Sequence, residues 1–125
     1  MLALCIYREA RGEGTEGQIA VACVIRNRVR RNMTSYYSEI VKPWQFSSIT
    51  AKGDPQLSVY PNILDTAWKQ CQEIAAEVAN GTVPDPTGAA TLYYADSIPF
   101  PDSWNRSKVA ETVKIGHQTF FREVA

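Results

Sequence analysis

One stretch of this chain is apolar on every side of a helix, and it constrains the fold more than any other feature. Residues 19–25 read IAVACVI and lie inside a longer segment with helical spacing. A helix without a polar face has to be surrounded by other elements. We therefore expect residues 16–31 to form a central helix, with the remaining elements packed around it in one domain that spans residues 1–125.

Helical spacing recurs on both sides of this central segment. The predicted helices are residues 2–11, residues 16–31 behind a Thr15 and Gln18 capping box, residues 35–41 capped by Ser35, and a helix from Pro61 to about residue 79. The remaining patterns are a short strand at 46–49 in an otherwise irregular stretch, a strand or helical turn at 91–94, and a hairpin of 112–115 with 118–122. The sum predicts a mostly α (α+β) domain with a small β element.

The charge balance excludes several kinds of partner. Thirteen basic residues match thirteen acidic ones, so no overall field draws the chain to nucleic acid or anionic lipid. The basic cluster at residues 26–31 is predicted to be a solvated helix end. The opening apolar run, residues 1–7, is too short for a signal peptide or a membrane span. We expect no nucleic-acid partner, no membrane insertion, a monomer, and no export signal within the chain.

Metal and thiol chemistry have weak support. His117 is the single histidine and no Cys-x-x-Cys pair occurs, so neither a zinc site nor another cofactor is expected. Cys5, Cys23 and Cys71 occupy apolar helical positions and are predicted to be buried free thiols, although a disulfide between two of them stays open. A Cys/His or Ser/His/Asp site built on His117 remains an alternative. It is disfavoured because thiolates are stabilised at exposed helix N-termini, whereas these cysteines lie within apolar helical stripes.

A carboxyl at the end of an apolar stripe is the leading catalytic candidate. The stripe consists of Leu2, Cys5, Ile6 and Glu9, at the i, i+3, i+4 and i+7 spacing of one helix face. Burial raises a carboxyl pKa, and general-acid catalysis requires an acid that stays protonated near neutral pH. Two alternatives stay open. Glu9 is a structural partner of Arg8 or Arg11, or Glu13 joins it as a second acid unless Gly12 breaks the helix between them.

Aromatic residues accumulate in the segments that lack helical periodicity. They are Trp44, Phe46, Tyr60, Tyr93, Tyr94, Phe100 and Trp104. Rings with polar tips can line a groove that suits sugar rings. Each ring taken alone fits ordinary packing, so only the accumulation favours a carbohydrate groove.

Several motifs together resemble the SleB/CwlJ-type cell-wall hydrolases, the spore-cortex-lytic enzymes. The motifs are YREARGEG at 7–14, EGQIAVA at 16–22, NRV at 27–29, QFS at 45–47, DPTGAA at 85–90 with YY at 93–94, and IGH at 115–117 with FF at 120–121. Each motif is weak alone. Their order along nearly the whole chain makes the resemblance specific.

The resemblance implies a lysozyme-like, mostly α fold that cleaves the glycan strands of peptidoglycan at the bacterial cell wall, typically as a lytic transglycosylase. It places the catalytic acid at Glu9. The substrate-binding candidates are Glu13, Gln45, Phe46, Tyr93, Tyr94 and Trp104. Ala89 stands where a glycine is common in the family.

Three other functions stay open at this point. A hydrolytic muramidase would use Glu13 to activate water, a non-catalytic module would only bind glycan, and a Cys/His endopeptidase would cut peptide stems. We expect the chain to be a phage or prophage lysis protein, or a domain of a longer secreted protein. A role in spores does not follow from the resemblance.

Overall fold

Five α-helices and a small sheet make up the part of the chain described by the computed structural model, residues 1–42 and 46–124 without the Ser47 side chain. The helices are α1 (Leu2–Ala10), α2 (Thr15–Asn32), α3 (Tyr36–Ile40), α4 (Ser47–Thr50) and α5 (Thr66–Ala79). The strands are β1 (Leu92–Ala95), β2 (Val109–Ile115) and β3 (Gln118–Glu123). Short 3-10 helices occupy Pro55–Ser58 and Arg106–Lys108. The expected mostly helical domain with a minor β element is confirmed.

Helix α2 lies between a helical layer and the sheet. Residues 20–25 are all 0% exposed. On one side they join a cluster with α1 and α5 that includes Ile6 and Ile74. On the other side Ala20 and Val24 meet Phe120 of the sheet. The predicted central helix is confirmed, because apolar side chains around its whole circumference are covered by these two layers.

The sheet is antiparallel with strand order β1-β3-β2. Gly116 and His117 form the turn between β2 and β3, and the register shifts between Glu111 and Val113. The hairpin predicted near the C-terminus is therefore confirmed, and residues 92–95 take the strand form of the two structures predicted there. Strand β1 forms one edge of the sheet and β2 the other.

The predicted capping box at the start of α2 is wrong. The helix begins at Thr15 itself, and its N-cap is Gly14, which has no side chain to cap with. The Gln18 amide instead donates to the carbonyls of Arg11 and Glu13, at 3.5 and 3.2 Å. Gln18 thus ties the α1–α2 connection to α2.

The predicted start of the last long helix at Pro61 is also wrong. Helix α5 begins at Thr66, because the Asp65 carboxylate accepts the Ala67 amide proton at 2.9 Å and caps the helix. The other oxygen of Asp65 accepts a 2.6 Å hydrogen bond from the Tyr7 hydroxyl of α1. Leu64, which the helical stripe included, is exposed ahead of the helix.

Two further sequence expectations need correction. The short strand expected at residues 46–49 is wrong, since Ser47–Thr50 is a helical turn, α4. The basic cluster is not wholly solvated: Arg26 donates to the Val78 carbonyl at 3.2 Å, and Arg28 donates to the Thr91 carbonyl at 2.5 Å. Both of these arginines are buried and connect α2 to its neighbours.

The remaining expectations concern thiols, one loop and membrane spans. The three cysteines are free and buried, as predicted. Ala89 has φ 64°, in the left-handed region that favours glycine. Across residues 1–42 and 46–124, no helix has the length and apolar character needed to cross a bilayer.

We predict that Asp65→Ala lowers the melting temperature and that Asp65→Asn largely preserves it. The alanine variant loses the cap of α5 and the bond from Tyr7, whereas asparagine keeps Oδ1 to accept the Ala67 amide proton and can donate from its amide nitrogen to the Tyr7 oxygen. The Tyr7 bond also holds the pKa of Asp65 below its usual range, so the cap is ionised near neutral pH. Thermal unfolding followed by circular dichroism measures the effect, with Asp102→Ala on the exposed loop as control. Equal melting temperatures for Asp65→Ala and Asp102→Ala would contradict the prediction.

Candidate active site

Glu9 lies near the C-terminal end of α1, on the face predicted from the sequence. Leu2, Cys5 and Ile6 of that face are buried in the core. Glu9, one turn beyond them, is half-buried where the helical layer meets the sheet. The apolar stripe thus carries the carboxyl to the edge of the core.

The Tyr93 hydroxyl reaches Glu9 from the sheet. It donates a 3.2 Å hydrogen bond to Glu9 Oε1 across 84 positions of sequence. The Tyr93 ring packs against Phe120 with ring centroids 5.6 Å apart. Burial raises the pKa of Tyr93 well above its ordinary value, and the nearby Glu9 carboxyl adds to this. Tyr93 therefore remains a neutral donor beside the acid.

Burial dominates the protonation of Glu9. It raises the pKa of the carboxyl, and the charge of Asp54 raises it further, whereas the hydroxyls of Ser48 and Tyr93 and the Ser48 amide lower it. Desolvation disfavours the ionised form, and donors favour it. The result is a pKa above the ordinary glutamate value, the condition that the sequence pattern predicted.

Neither neighbouring arginine neutralises Glu9. Arg8 donates to the carbonyls of Ser48, Leu57 and Val59, and Arg11 donates to the Tyr7 carbonyl and the Gln56 side chain. Among the described residues, Glu9 forms no ion pair with either of them. The interpretation of Glu9 as a structural ion-pair partner is therefore unsupported.

Glu9 opens into a groove of about 1120 Å³ between α2, the sheet and the loop after β1. All four residues of β1 line it. Its other described lining residues include Glu9, Arg28, Arg31, Trp104, Lys108, Gln118 and Glu123. The groove is open to solvent rather than a closed cavity, which suits a polymer better than a small ligand.

An aromatic cluster holds the loop of residues 96–108 against the sheet. Tyr94 stacks on Phe121 with centroids 5.7 Å apart, and Trp104 meets both of these rings edge-on. Phe100 completes the cluster, with the Arg106 guanidinium 3.9 Å above its ring. Tyr94 and Trp104 also line the groove. The cluster gives this groove wall aromatic surface that is fixed in position.

Glu13 lies against the β2–β3 turn. Glu13 Oε1 accepts the His117 amide proton at 3.3 Å, and Oε2 lies 3.4 Å from His117 Nδ1. A Cβ on Gly116 would come within 2.7 Å of Glu13 Oε2. The Glu13 side chain is only 13% exposed and does not line the Glu9 groove. The structure thus uses Glu13 to fix the turn onto the start of α2.

The cysteines and His117 do not form a nucleophilic site. Burial raises the pKa of Cys23 and of Cys71 to about 11 each, and it raises the pKa of Cys5 further. The His117 side chain is 85% exposed in the turn. Buried thiols with raised pKa values are poor nucleophiles.

The structure brings together part of the site predicted from the sequence. Glu9, Tyr93, Tyr94 and Trp104 meet along one groove. Gln45 lies outside the described residues. Glu13 and Phe46 do not line this groove, since Glu13 contacts the His117 turn and Phe46 is 1% exposed in the core, so their assignment to substrate binding stays a prediction.

Two groups around Glu9 were missed from the sequence. Ser48 follows the QFS motif, and its backbone and hydroxyl lie beside the carboxyl. Arg28 lines the groove floor, with its guanidinium 5.4 Å from the Phe46 ring centroid and Nη1 buried without a hydrogen bond among the described residues. One signal pointed to Arg28: it lies one helical turn after Val24 on the apolar circumference of α2.

Comparison with known proteins identifies relatives along nearly the whole chain. A family model described as Cell Wall Hydrolase matches residues 12–121. The spore cortex-lytic enzyme of Bacillus subtilis (strain 168) is 35% identical over 123 residues, which cover 96% of this chain and 36% of that protein. The enzyme of the same name from Oceanobacillus iheyensis is 32% identical over 117 residues, covering 91% of this chain and 38% of that protein. The chain thus spans well under half the length of these relatives.

Two solved structures share the fold. The catalytic domain of the germination-specific lytic transglycosylase SleB from Bacillus anthracis superposes with a TM-score of 0.72 at 29% identity, over 95% of this chain and 88% of that one. The catalytic domain of the Bacillus cereus SleB protein gives a TM-score of 0.67 at 30% identity, over 95% and 84% of the two chains.

We predict that Glu9→Gln raises the melting temperature near neutral pH. The pKa of Glu9 is higher in the folded protein than in the unfolded chain, so ionisation of Glu9 destabilises the fold. The loss of stability caused by ionised Glu9 is absent below the pKa of Glu9 in the unfolded chain and complete above its pKa in the folded protein. The stabilisation by glutamine should therefore be present at about pH 7 and absent at about pH 3.5. Melting curves at both pH values measure it, with the exposed Glu16→Gln as control. A gain that is the same at both pH values would contradict it.

We predict that Gly116→Ala destabilises the protein more than Gly53→Ala does. Both glycines have positive φ, 59° and 87°, where an added Cβ costs about 1 kcal/mol or more. Only at Gly116 does that Cβ also collide with the Glu13 carboxylate, since a Cβ on Gly53 would meet no atom of the described residues within 4 Å. Urea denaturation measures the two free energies of unfolding. Equal losses would mean that the Glu13 contact does not hold the turn.

Proposed function

The chain belongs to the cell wall hydrolase family, and from this membership we propose that it cleaves the glycan strands of peptidoglycan at the bacterial cell wall, with Glu9 as the catalytic acid. One observation carries the proposal: a half-buried carboxyl with a raised pKa, hydrogen-bonded by Tyr93, opens into an open groove with aromatic residues on one wall. A raised pKa suits a general acid, and an open groove suits a polymer.

The reaction proposed is a lytic transglycosylation. Glu9 gives its proton to the glycosidic oxygen between N-acetylmuramic acid and N-acetylglucosamine as the bond from that oxygen to muramyl C1 breaks. The Glu9 carboxylate then takes the proton of the muramyl C6 hydroxyl, whose oxygen bonds to C1. The product is a 1,6-anhydro ring, and no water enters.

The arrangement of carboxylates supports this reaction over hydrolysis. Retaining and inverting glycosidases ordinarily use two carboxyl groups beside the scissile bond. Glu13, the second acid expected from the sequence, is bound to the His117 turn. Glu123 lies in the groove but accepts a 2.6 Å hydrogen bond from Thr91 and faces Arg31 at 3.6 Å. Because both acids have structural partners, Glu9 is proposed to act alone.

We predict that Glu9→Gln abolishes release of soluble muropeptides from purified sacculi. Glutamine keeps the shape of the side chain and can accept the Tyr93 bond, but it cannot donate and recover a proton. General acid–base groups contribute about 10²- to 10⁴-fold, so the rate should fall by roughly that factor. Liquid chromatography with mass spectrometry of the digests measures the rate of muropeptide release and identifies the muramyl ends of the products.

Glu13→Gln is the matched control, because it removes an acid that lies close in sequence and outside the groove. It should retain cleavage. Anhydro-muramyl ends are expected from the wild type. Reducing ends would indicate a hydrolytic muramidase instead. Cut peptide stems or full activity of Glu9→Gln would exclude the proposed chemistry, and binding to sacculi without release would indicate a non-catalytic module.

A further inference from the structure

We propose that Ser48 is a positioning residue for Glu9, whose hydroxyl donates to the carboxylate formed when Glu9 gives up its proton. This inference rests on the function proposed above and adds a residue that neither the sequence motifs nor the family resemblance assigns. Three features support it: the Ser48 hydroxyl is buried without a hydrogen-bond partner among the described residues, it lies beside Glu9, and Arg8 fixes its backbone there.

The Ser48 hydroxyl is buried and lacks an ordinary hydrogen-bond partner. The residue is 1% exposed, and among the described residues no group lies within hydrogen-bonding geometry of its Oγ. A buried hydroxyl that forms no bond is costly, and such groups in native proteins usually have a functional or structural reason. The nearest reason here is the Glu9 carboxyl.

Glu9 is the group on which Ser48 acts. The hydroxyl and the backbone amide of Ser48 lie near enough to Glu9 to lower the pKa of its carboxyl, as the Tyr93 hydroxyl does. The Tyr93 hydroxyl donates to Glu9 at 3.2 Å, whereas the Ser48 hydroxyl has no hydrogen bond of ordinary geometry among the described residues. Catalytic hydrogen bonds are often long in a free enzyme and shorten when the substrate is bound and charge develops. A hydroxyl can make this adjustment by rotation alone.

Arg8 holds Ser48 in this position. Its Nη1 donates to the Ser48 carbonyl at 3.0 Å in the buried interior, while Nε and Nη2 donate to the carbonyls of Val59 and Leu57 at 3.1 and 3.3 Å. Arg8 immediately precedes Glu9 on α1. The same turn of α1 therefore carries both Glu9 and the guanidinium that binds the Ser48 backbone. The distance between Glu9 and Ser48 is thus set by this one turn.

Two donors from different elements would then serve one carboxyl. Tyr93 approaches from β1 and Ser48 from α4, whereas burial and Asp54 favour the protonated form. An acid that must first lose a proton and then regain it needs both forms to be accessible. Neutral donors stabilise the carboxylate without adding a cation that would keep it ionised from the start.

The test compares Ser48→Ala with the wild type in two measurements. Loss of the hydroxyl should raise the pKa of Glu9, observed by NMR titration of ¹³C-labelled glutamate carboxyls, with the Glu9 signal identified by its absence in Glu9→Gln. Muropeptide release should slow by roughly three- to tenfold at its pH optimum, the effect of one ordinary hydrogen bond. Since the active form of Glu9 is protonated, the alkaline limb of the pH–rate profile should move to higher pH.

Two further variants separate positioning from general stability. Ser48→Thr retains the hydroxyl and should restore the wild-type alkaline limb. Ser58→Ala removes an exposed hydroxyl that donates to the Pro55 carbonyl at 3.0 Å, and should change neither the limb nor the Glu9 titration. A lower melting temperature with an unmoved alkaline limb in Ser48→Ala would overturn the proposal, because a purely structural role has that signature.

The outcomes also distinguish this inference from the proposed function. If the wild type releases no muropeptides, the proposed function fails, and the carboxyl titration still reports whether Ser48 acts on Glu9. If the wild type cleaves glycan in a Glu9-dependent manner while Ser48→Ala titrates and cleaves as the wild type does, the inference alone is overturned. A pKa shift without any loss of rate would overturn it as well.

Discussion

The burial of α2 on all sides is the constraint on which the rest of the structure depends. Because this helix has no polar face, it needs a layer on each side, and α1 with α5 supplies one while the sheet supplies the other. The groove forms where these two layers meet. The hydrogen bond from Tyr93 to Glu9 joins the sheet layer to the helical layer across that junction. The geometry of the acid is therefore a consequence of how α2 is packed.

Glu9 forms no ion pair within residues 1–42 and 46–124, although arginines flank it in sequence. Successive helical residues project in different directions, so side chains at neighbouring positions do not face one another. The Arg8 guanidinium donates to backbone carbonyls of the irregular segment from Ser48 to Val59. The Arg11 guanidinium donates to the side-chain oxygen of Gln56 in that segment and to the Tyr7 carbonyl. These arginines thus contact the segment that encloses the acid, and neither of them forms an ion pair with it. The same turn of α1 thus carries Glu9 and the arginine that binds the segment from Ser48 to Val59.

The periodic parts of the fold could be predicted from the sequence. The core helix, the face of α1 that carries Glu9, and the C-terminal hairpin all follow from local patterns of two or 3.6 residues. The start of α5 could not, because the choice between Pro61 and Asp65 depends on a bond from Tyr7, 58 positions away. Local signals allow both starts, and only the tertiary contact selects one.

The candidate site shows the same division. Glu9 and the groove rings were found because their positions follow from spacing or composition. The surroundings of Glu13 could not be predicted, since its proximity to Glu9 in sequence says nothing about the turn at residue 117 that contacts it. Ser48 carries no local signature, and the only signal for Arg28 is its place on the apolar circumference of α2. Their roles arise from folding, which places an ordinary serine and a helix arginine against a buried carboxyl and a groove floor.

Strand β1 is both a wall of the groove and an edge of the sheet. Within residues 1–42 and 46–124, β1 pairs only with β3, so its other side is unpaired. All four of its residues line the groove that the proposed polymer would occupy. Such edges can recruit strands from other molecules. The edge here is four residues long, and short edge strands are poor templates for pairing. The brevity of β1 thus makes this accessible edge of the groove a weak template for pairing with a further strand.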